Sequence, residues 1–145
     1  MADPVSLRFD LEVEDGWPPV AVECLPFTES GDFFQLMSPP LFVKRLSVGD
    51  LIRVEFGEHN AVERWQHEIR SRHTTVWLAR LKATQQIETI LAKLEALGCY
   101  TVRAESLGVA AIDVPESVPM SKVDAVLNRA SGSKIAIAFP SFRHG

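Results

Sequence analysis

Apolar and polar residues alternate almost from the start of the chain. Residues 6–14 set Leu7, Phe9, Leu11 and Val13 against Arg8, Asp10, Glu12 and Glu14. That is the period of a strand with one buried face, and it predicts one strand over the whole stretch. Residues 20–27, 32–36, 50–56 and 62–70 are the next strand candidates. Pro18-Pro19 and Pro39-Pro40 break the pattern and exclude helix where they stand. Ser47-Val-Gly49-Asp50 reads as a turn that launches a strand. Several short strands with regular turn signals predict a small barrel or a strongly curled sheet in the first half.

The period then changes. Val76–Leu81 reads as a short apolar strand. Ile87, Ile90, Leu91, Leu94 and Leu97 recur at steps of three and four, one stripe of a helix between a Thr84 cap and a Gly98 stop. Residues 100–105 and 109–114 read as strands around a turn at 106–108. Val123, Val126, Leu127 and Ala130 mark a second helix that stops near Gly132, and Ile135, Ile137 and Phe139 a last strand. Strand, helix, strand, strand, helix, strand is the ferredoxin-like order, an antiparallel sheet with both helices on one face. The fold class expected is therefore α+β. A curled β-rich half, residues 1–75, packs on a ferredoxin-like βαββαβ half, residues 76–145, with no flexible linker.

Composition agrees. The chain has 145 residues, 46% of them hydrophobic and 23% charged, which supports a real core and excludes disorder. Cys24 and Cys99 lie far apart in apolar surroundings with no Cys/His cluster. Two buried free thiols are expected, with no metal and no cofactor. The first residues are acidic and alternating, unlike a signal peptide, and no apolar run approaches the roughly 20 residues of a membrane helix. A cytoplasmic protein is expected.

Charge is the feature that most changes the picture. The net charge is −4. Residues 1–60 hold eleven acids against four bases, residues 61–82 two against five, and residues 83–145 six of each. The acid concentrates further. Asp3, Asp10, Glu12, Glu14, Asp15, Glu23, Glu29 and Asp32 face only Arg8 in the first 32 residues. Such a surface repels nucleic acid and attracts basic partners. Asp10, Glu12, Glu14 and Asp15, with Trp17 as an exposed aromatic anchor, are the candidate partner-binding residues. The plain alternative is a solvated face, or acids neutralised by arginines across the barrel. Trp77, between Val76 and Leu78, is expected in the core.

Candidate chemistry gathers at residues 70–75. Ser71, Arg72, His73 and Thr75, with Arg70, could form an anion site or the surroundings of a general base at His73. A triad would need a carboxylate, and Glu68 and Asp50 are the nearest. The structural alternative, a junction where His73 and the threonines satisfy backbone groups between the two halves, is the stronger expectation. Arg64, Arg70, Arg72 and Arg80 share parity and could line one strand face, which suggests a phosphate- or RNA-binding strip. Glu68 interrupts that strip, and the acidic balance argues against nucleic acid.

Five stretches, in order, resemble the bacterial family known as domain of unknown function 4265. They are Trp17-Pro18-Pro19 with Glu23; the run from Pro40 to Asp50 through Phe42, Lys44, Ser47 and Gly49; Ser71-Arg72-His73-Thr74-Thr75; Leu97-Gly98-Cys99; and Ala111-Ile112-Asp113-Val114-Pro115. The chain departs at Arg72, where the family pattern has glycine, and at Thr74, where it has serine. The resemblance spans roughly residues 17–140 and supports the fold. It brings no activity with it.

Three functions follow as expectations. The first is a non-enzymatic protein-binding module, an immunity protein or antitoxin that neutralises a basic toxic enzyme, such as a nuclease, through the acidic surface. The second is a small enzyme working at His73. The third is a nucleotide- or RNA-associated module using the Arg64–Arg80 strip.

Overall fold

A computed structural model describes residues 4–145; Asp3 lies outside them. Five strands, β1 (Val5–Asp10), β2 (Val22–Ser30), β3 (Phe33–Leu36), β4 (Leu51–Phe56) and β5 (Ala61–Ile69), form a closed barrel. Consecutive strands pair antiparallel. The barrel closes through a short parallel contact of β1 with β5, Arg8 beside Ala61 and Phe9 beside Val62. Closure removes the open strand edges that would invite aggregation.

The alternation seen in the sequence is what fills this barrel. Leu7, Phe9, Leu25, Phe27, Leu36, Ile52 and Val62 point inward, joined by Val43 and Leu46 from the long β3–β4 connection. Phe9 and Phe27 stack with ring centroids 6.0 Å apart. Burying one such side chain contributes about 1.5–3 kcal/mol.

The first strand is shorter than the sequence pattern suggests. β1 ends at Asp10, and Val13 is 47% exposed. Glu12 and Glu14 therefore do not continue a strand face with Asp10. Glu14 instead closes a small turn with Trp17 through two backbone hydrogen bonds, 2.9 and 3.0 Å.

The remaining elements are β6 (Thr74–Arg80), α1 (Gln86–Ala96), β7 (Tyr100–Ala104), β8 (Val109–Val114), α2 (Met120–Leu127) and β9 (Ile135–Ser141). The sheet order is β7-β8-β6-β9, all antiparallel, as the ferredoxin-like reading requires. Both helices bury their stripes on one face. Ile90, Leu91, Leu94, Val123 and Leu127 pack with Val76, Leu78, Ala110, Ile112 and Val114. Thr84 accepts a hydrogen bond from the Gln86 N–H, 3.1 Å, at the start of α1, and Gly98 takes φ +106 just past its end. That left-handed conformation is cheap only for glycine.

Two expectations about burial are corrected. Cys24 is exposed, because β2 turns it away from the barrel interior; only Cys99 is buried, and both are free thiols. Trp77 is half-buried, because it sits on the sheet face opposite Val76 and Leu78. There its indole N–H donates to the Pro40 carbonyl, 2.7 Å. That face turns to the barrel, so β8 is buried along its whole length.

Candidate functional site

Two features stand out where barrel and sheet meet: a buried polar network and an acidic groove. Asp50, fully buried, is the centre of the network. Its Oδ1 accepts from the Ser71 N–H at 2.8 Å and from Arg143 at 2.9 Å. Its Oδ2 accepts from the Ser47 N–H at 3.0 Å, from Arg143 at 2.9 Å and from His67 Nε2 at 2.8 Å. Burial acts to raise the Asp50 carboxyl, but Arg143, the two backbone N–H groups and His67 outweigh it and hold it below the usual range.

The candidate block at residues 70–75 is divided by this network. Thr74 and Thr75 belong to β6, whereas residues 70–73 make the turn before it. Ser71 donates its hydroxyl to the Val48 carbonyl at 2.6 Å and accepts the His73 N–H at 3.3 Å. Thr75 bonds Ser47, which in turn donates to Ser141 at 2.8 Å. Thr74 accepts the backbone N–H groups of Arg143, 2.8 Å, and His144, 3.2 Å. Its hydroxyl also lies 2.6 Å from His144 Nδ1, and the other ring nitrogen of His144, Nε2, lies 3.0 Å from the Pro115 carbonyl.

His73 Nδ1 lies 2.7 Å from Asp113 on β8. The carboxylate beside it is therefore neither Glu68 nor Asp50. Glu68 pairs with Arg53 at 3.6 Å on the outer face of the barrel. Burial raises the Asp113 carboxyl, and His73 offsets part of that rise. A histidine oriented by a carboxylate is half of a general-base device. The nearby hydroxyl of Ser71 is committed to Val48, and among the described residues no nucleophile is hydrogen-bonded to the His73 ring.

The arginine strip is not assembled. Arg64 pairs with Glu55 at 3.6 Å and Arg72 with Glu116 at 3.2 Å, both on exposed surface. Arg80 belongs to the other sheet, and Arg70 lies beyond the end of β5. Among the described residues, none of the arginines at 64, 70 and 72 pairs with the acids of the first 32 positions.

Four of those acids, Asp10, Glu12, Glu14 and Asp15, line a groove instead. Its volume is about 600 Å³. Asp10, Glu12, Glu14, Asp15 and Trp17 line it together with Phe42, Trp65, Trp77, Lys44 and Arg45. Trp17 is 53% exposed and meets Phe42 edge-on at 6.0 Å. Asp10 pairs with Arg8 at 3.2 Å; Glu12, Glu14 and Asp15 make no ion pair among the described residues. The Arg45 guanidinium sits 5.5 Å above the Trp65 ring. The chain at residues 41–43, which contributes Phe42 and Val43 to the groove, is fixed by Glu23, whose carboxylate accepts the N–H groups of Leu41, Phe42 and Val43 at 2.6, 3.0 and 2.9 Å.

Sequence reasoning placed the acids and Trp17 but missed Arg143, His144 and the lining by Phe42, Trp65 and Trp77. It could not pair His73 with a carboxylate 40 positions away. The motif Asp113-Val114-Pro115, singled out by resemblance alone, was the available signal.

No curated protein matches the chain. Among solved structures, a hypothetical protein from Neisseria gonorrhoeae is similar, with a TM-score of 0.73 at 19% identity, over 97% of this chain and 98% of that one. At that identity the likeness concerns the fold. A family model, Domain of unknown function (DUF4265), matches residues 23–136, and the chain belongs to that family.

Proposed function

We propose that this chain is a protein-binding module that receives a basic segment of a partner protein in the groove beside Trp17, and acts as an immunity protein or antitoxin toward a toxic enzyme. The observation that carries the reading is the coincidence of acids and aromatic rings around one cavity. Aromatic faces hold guanidinium and ammonium groups, and carboxylates on the rim steer them in. An enzyme with a basic substrate cleft presents such groups. Glu12, Glu14 and Asp15, having no counter-ion of their own among the described residues, are available to such a partner.

The test uses a peptide of nine arginines and the tryptophan fluorescence of the chain, whose three tryptophans, Trp17, Trp65 and Trp77, all line the groove. Saturable binding is expected, weakening steeply as salt rises from low to physiological ionic strength. Reversal of Asp10, Glu12 and Glu14 to lysine should abolish it while leaving the thermal midpoint in place. Binding that survives the reversal overturns the groove as the partner face. For the biological role, the product of an adjacent toxin-like reading frame is assayed with and without this protein. Unchanged toxin activity overturns the antitoxin reading.

A further inference from the structure

A second cavity, of about 290 Å³, lies between the start of α1 and the loop that follows α2. It is far from the acidic groove in composition and shares no residue with it. Lys93, Arg129 and Lys134 line it, and no carboxylate does. In a chain of net charge −4, three cations gather there, and none forms an ion pair among the described residues. Glu88, the acid in the first turn of α1, lines a different recess with Arg80 and Arg103.

The fold brings the three cations together from separate elements. Thr89, Ile90 and Lys93 follow Gln86 along one side of α1, Arg129 follows the end of α2, and Lys134 precedes β9. The Ser131 N–H donates to the Gln86 side-chain oxygen at 3.0 Å, which ties the loop to the helix and sets the width of the cavity. Thr84, Gln85 and Thr89 add neutral hydrogen-bonding groups around it, while buried Ile90 and half-buried Val126 make an apolar floor. Like charges held side by side repel one another, so an anion between them is favoured. The volume is close to the lower end for small-molecule sites, about 300 Å³.

We propose that this cavity binds a small phosphomonoester, its phosphate held by Lys93, Arg129 and Lys134 and its organic body laid over Ile90 and Val126. A dianionic group with three acceptor oxygens suits three cationic donors. The apolar floor favours an ester over the bare ion.

The experiment is a titration of the full chain with phenyl phosphate, inorganic phosphate and sulfate, followed by amide chemical shifts at low salt and at about 0.15 M. Phenyl phosphate should bind saturably, with shifts confined to residues 84–93 and 126–134, and more tightly than inorganic phosphate. The double variant Lys93→Gln with Arg129→Gln should weaken it about tenfold or more. Arg64→Gln with Arg72→Gln should leave it unchanged. All four positions are exposed, and the thermal midpoint checks that each variant is folded. Equal, unsaturable shifts from phosphate and sulfate would mean an adventitious ion only and overturn the proposal. So would undiminished affinity in the Lys93/Arg129 variant, or shifts centred on the groove beside Trp17. Inorganic phosphate binding as tightly as the ester would overturn the role of the apolar floor.

Discussion

Arg143 holds Asp50 with both terminal guanidinium nitrogens, each 2.9 Å from a different carboxylate oxygen. The two residues are 93 positions apart, one at the mouth of the barrel and one just beyond the last strand of the sheet. Arg143 also donates to the carbonyls of Ser71, 2.8 Å, and Arg45, 3.3 Å, so one side chain joins three segments of the barrel half to the end of the sheet.

Removing either partner leaves a buried charge unpaired, which costs about 3–5 kcal/mol. Asp50→Asn and Arg143→Ala should each lose about that much in urea unfolding, and Arg143→Lys, which keeps the charge but not the fork, should lose less. Because the two residues act as one unit, the double variant should lose far less than the sum. A loss below about 1 kcal/mol in both single variants would show that the pair does not hold the halves together.

Asp50 and Asp113 should move stability with pH in opposite directions. The folded Asp50 carboxyl lies below its unfolded value, so its contribution is present above the ordinary carboxylate pKa and is lost as the pH falls through the lower folded value. Asp113 is raised, first by burial. Its ionisation costs stability as the pH climbs from about 4 through that raised value. Relative to the unmodified chain, Asp113→Asn should therefore gain as the pH rises, while the deficit of Asp50→Asn should shrink as the pH falls. Thermal midpoints measured from pH 3 to 8 decide this; parallel curves would contradict it.

Gly49 closes the turn that presents Asp50. Its φ is +87, and a Cβ there would stand 3.2 Å from the Ser71 Cβ. Gly49→Ala should cost more than the roughly 1–2 kcal/mol of the left-handed backbone, because Ser71, which donates to Asp50, must shift as well. Gly132→Ala, with no neighbour within 4 Å and no positive φ, should be close to neutral. Differential scanning calorimetry of the two variants separates the cases.

The two thiols should behave differently. Cys99 is buried, and burial, with the charge of Asp113, pushes its thiol up to about 11. At pH 8 a disulfide reagent should label Cys24 rapidly and Cys99 only on unfolding. Two fast thiols in the native protein would place Cys99 at the surface.

Hydropathy alone carried much of the fold. Leu7 and Phe9, Leu25 and Phe27, and the stripe from Ile87 to Leu94 occupy the faces their spacing predicts, because burial of apolar area rewards one period per element. The same rule failed at Val13, where the strand had already ended. Alternation continues past Asp10, but no neighbouring strand remains to pair with it after Ala21 accepts the Leu11 N–H at 2.8 Å. The strong apolar flanks of Trp77 likewise said nothing about which face it would take.

By itself the sequence determined the element order, the ferredoxin-like half, and the crowding of acid around Trp17, since these depend on residues close together in the chain. Only the tertiary structure decided that β1 meets β5 to close the barrel, that His73 takes Asp113 and His67 takes Asp50, and that Arg143 crosses to the far half. It also scattered the arginines at 64, 70, 72 and 80 and drew Lys93, Arg129 and Lys134 together instead. The physical reason is range: periodicity records how one segment meets solvent and core, whereas a buried charge is satisfied by whichever group the whole fold brings within about 3 Å of it.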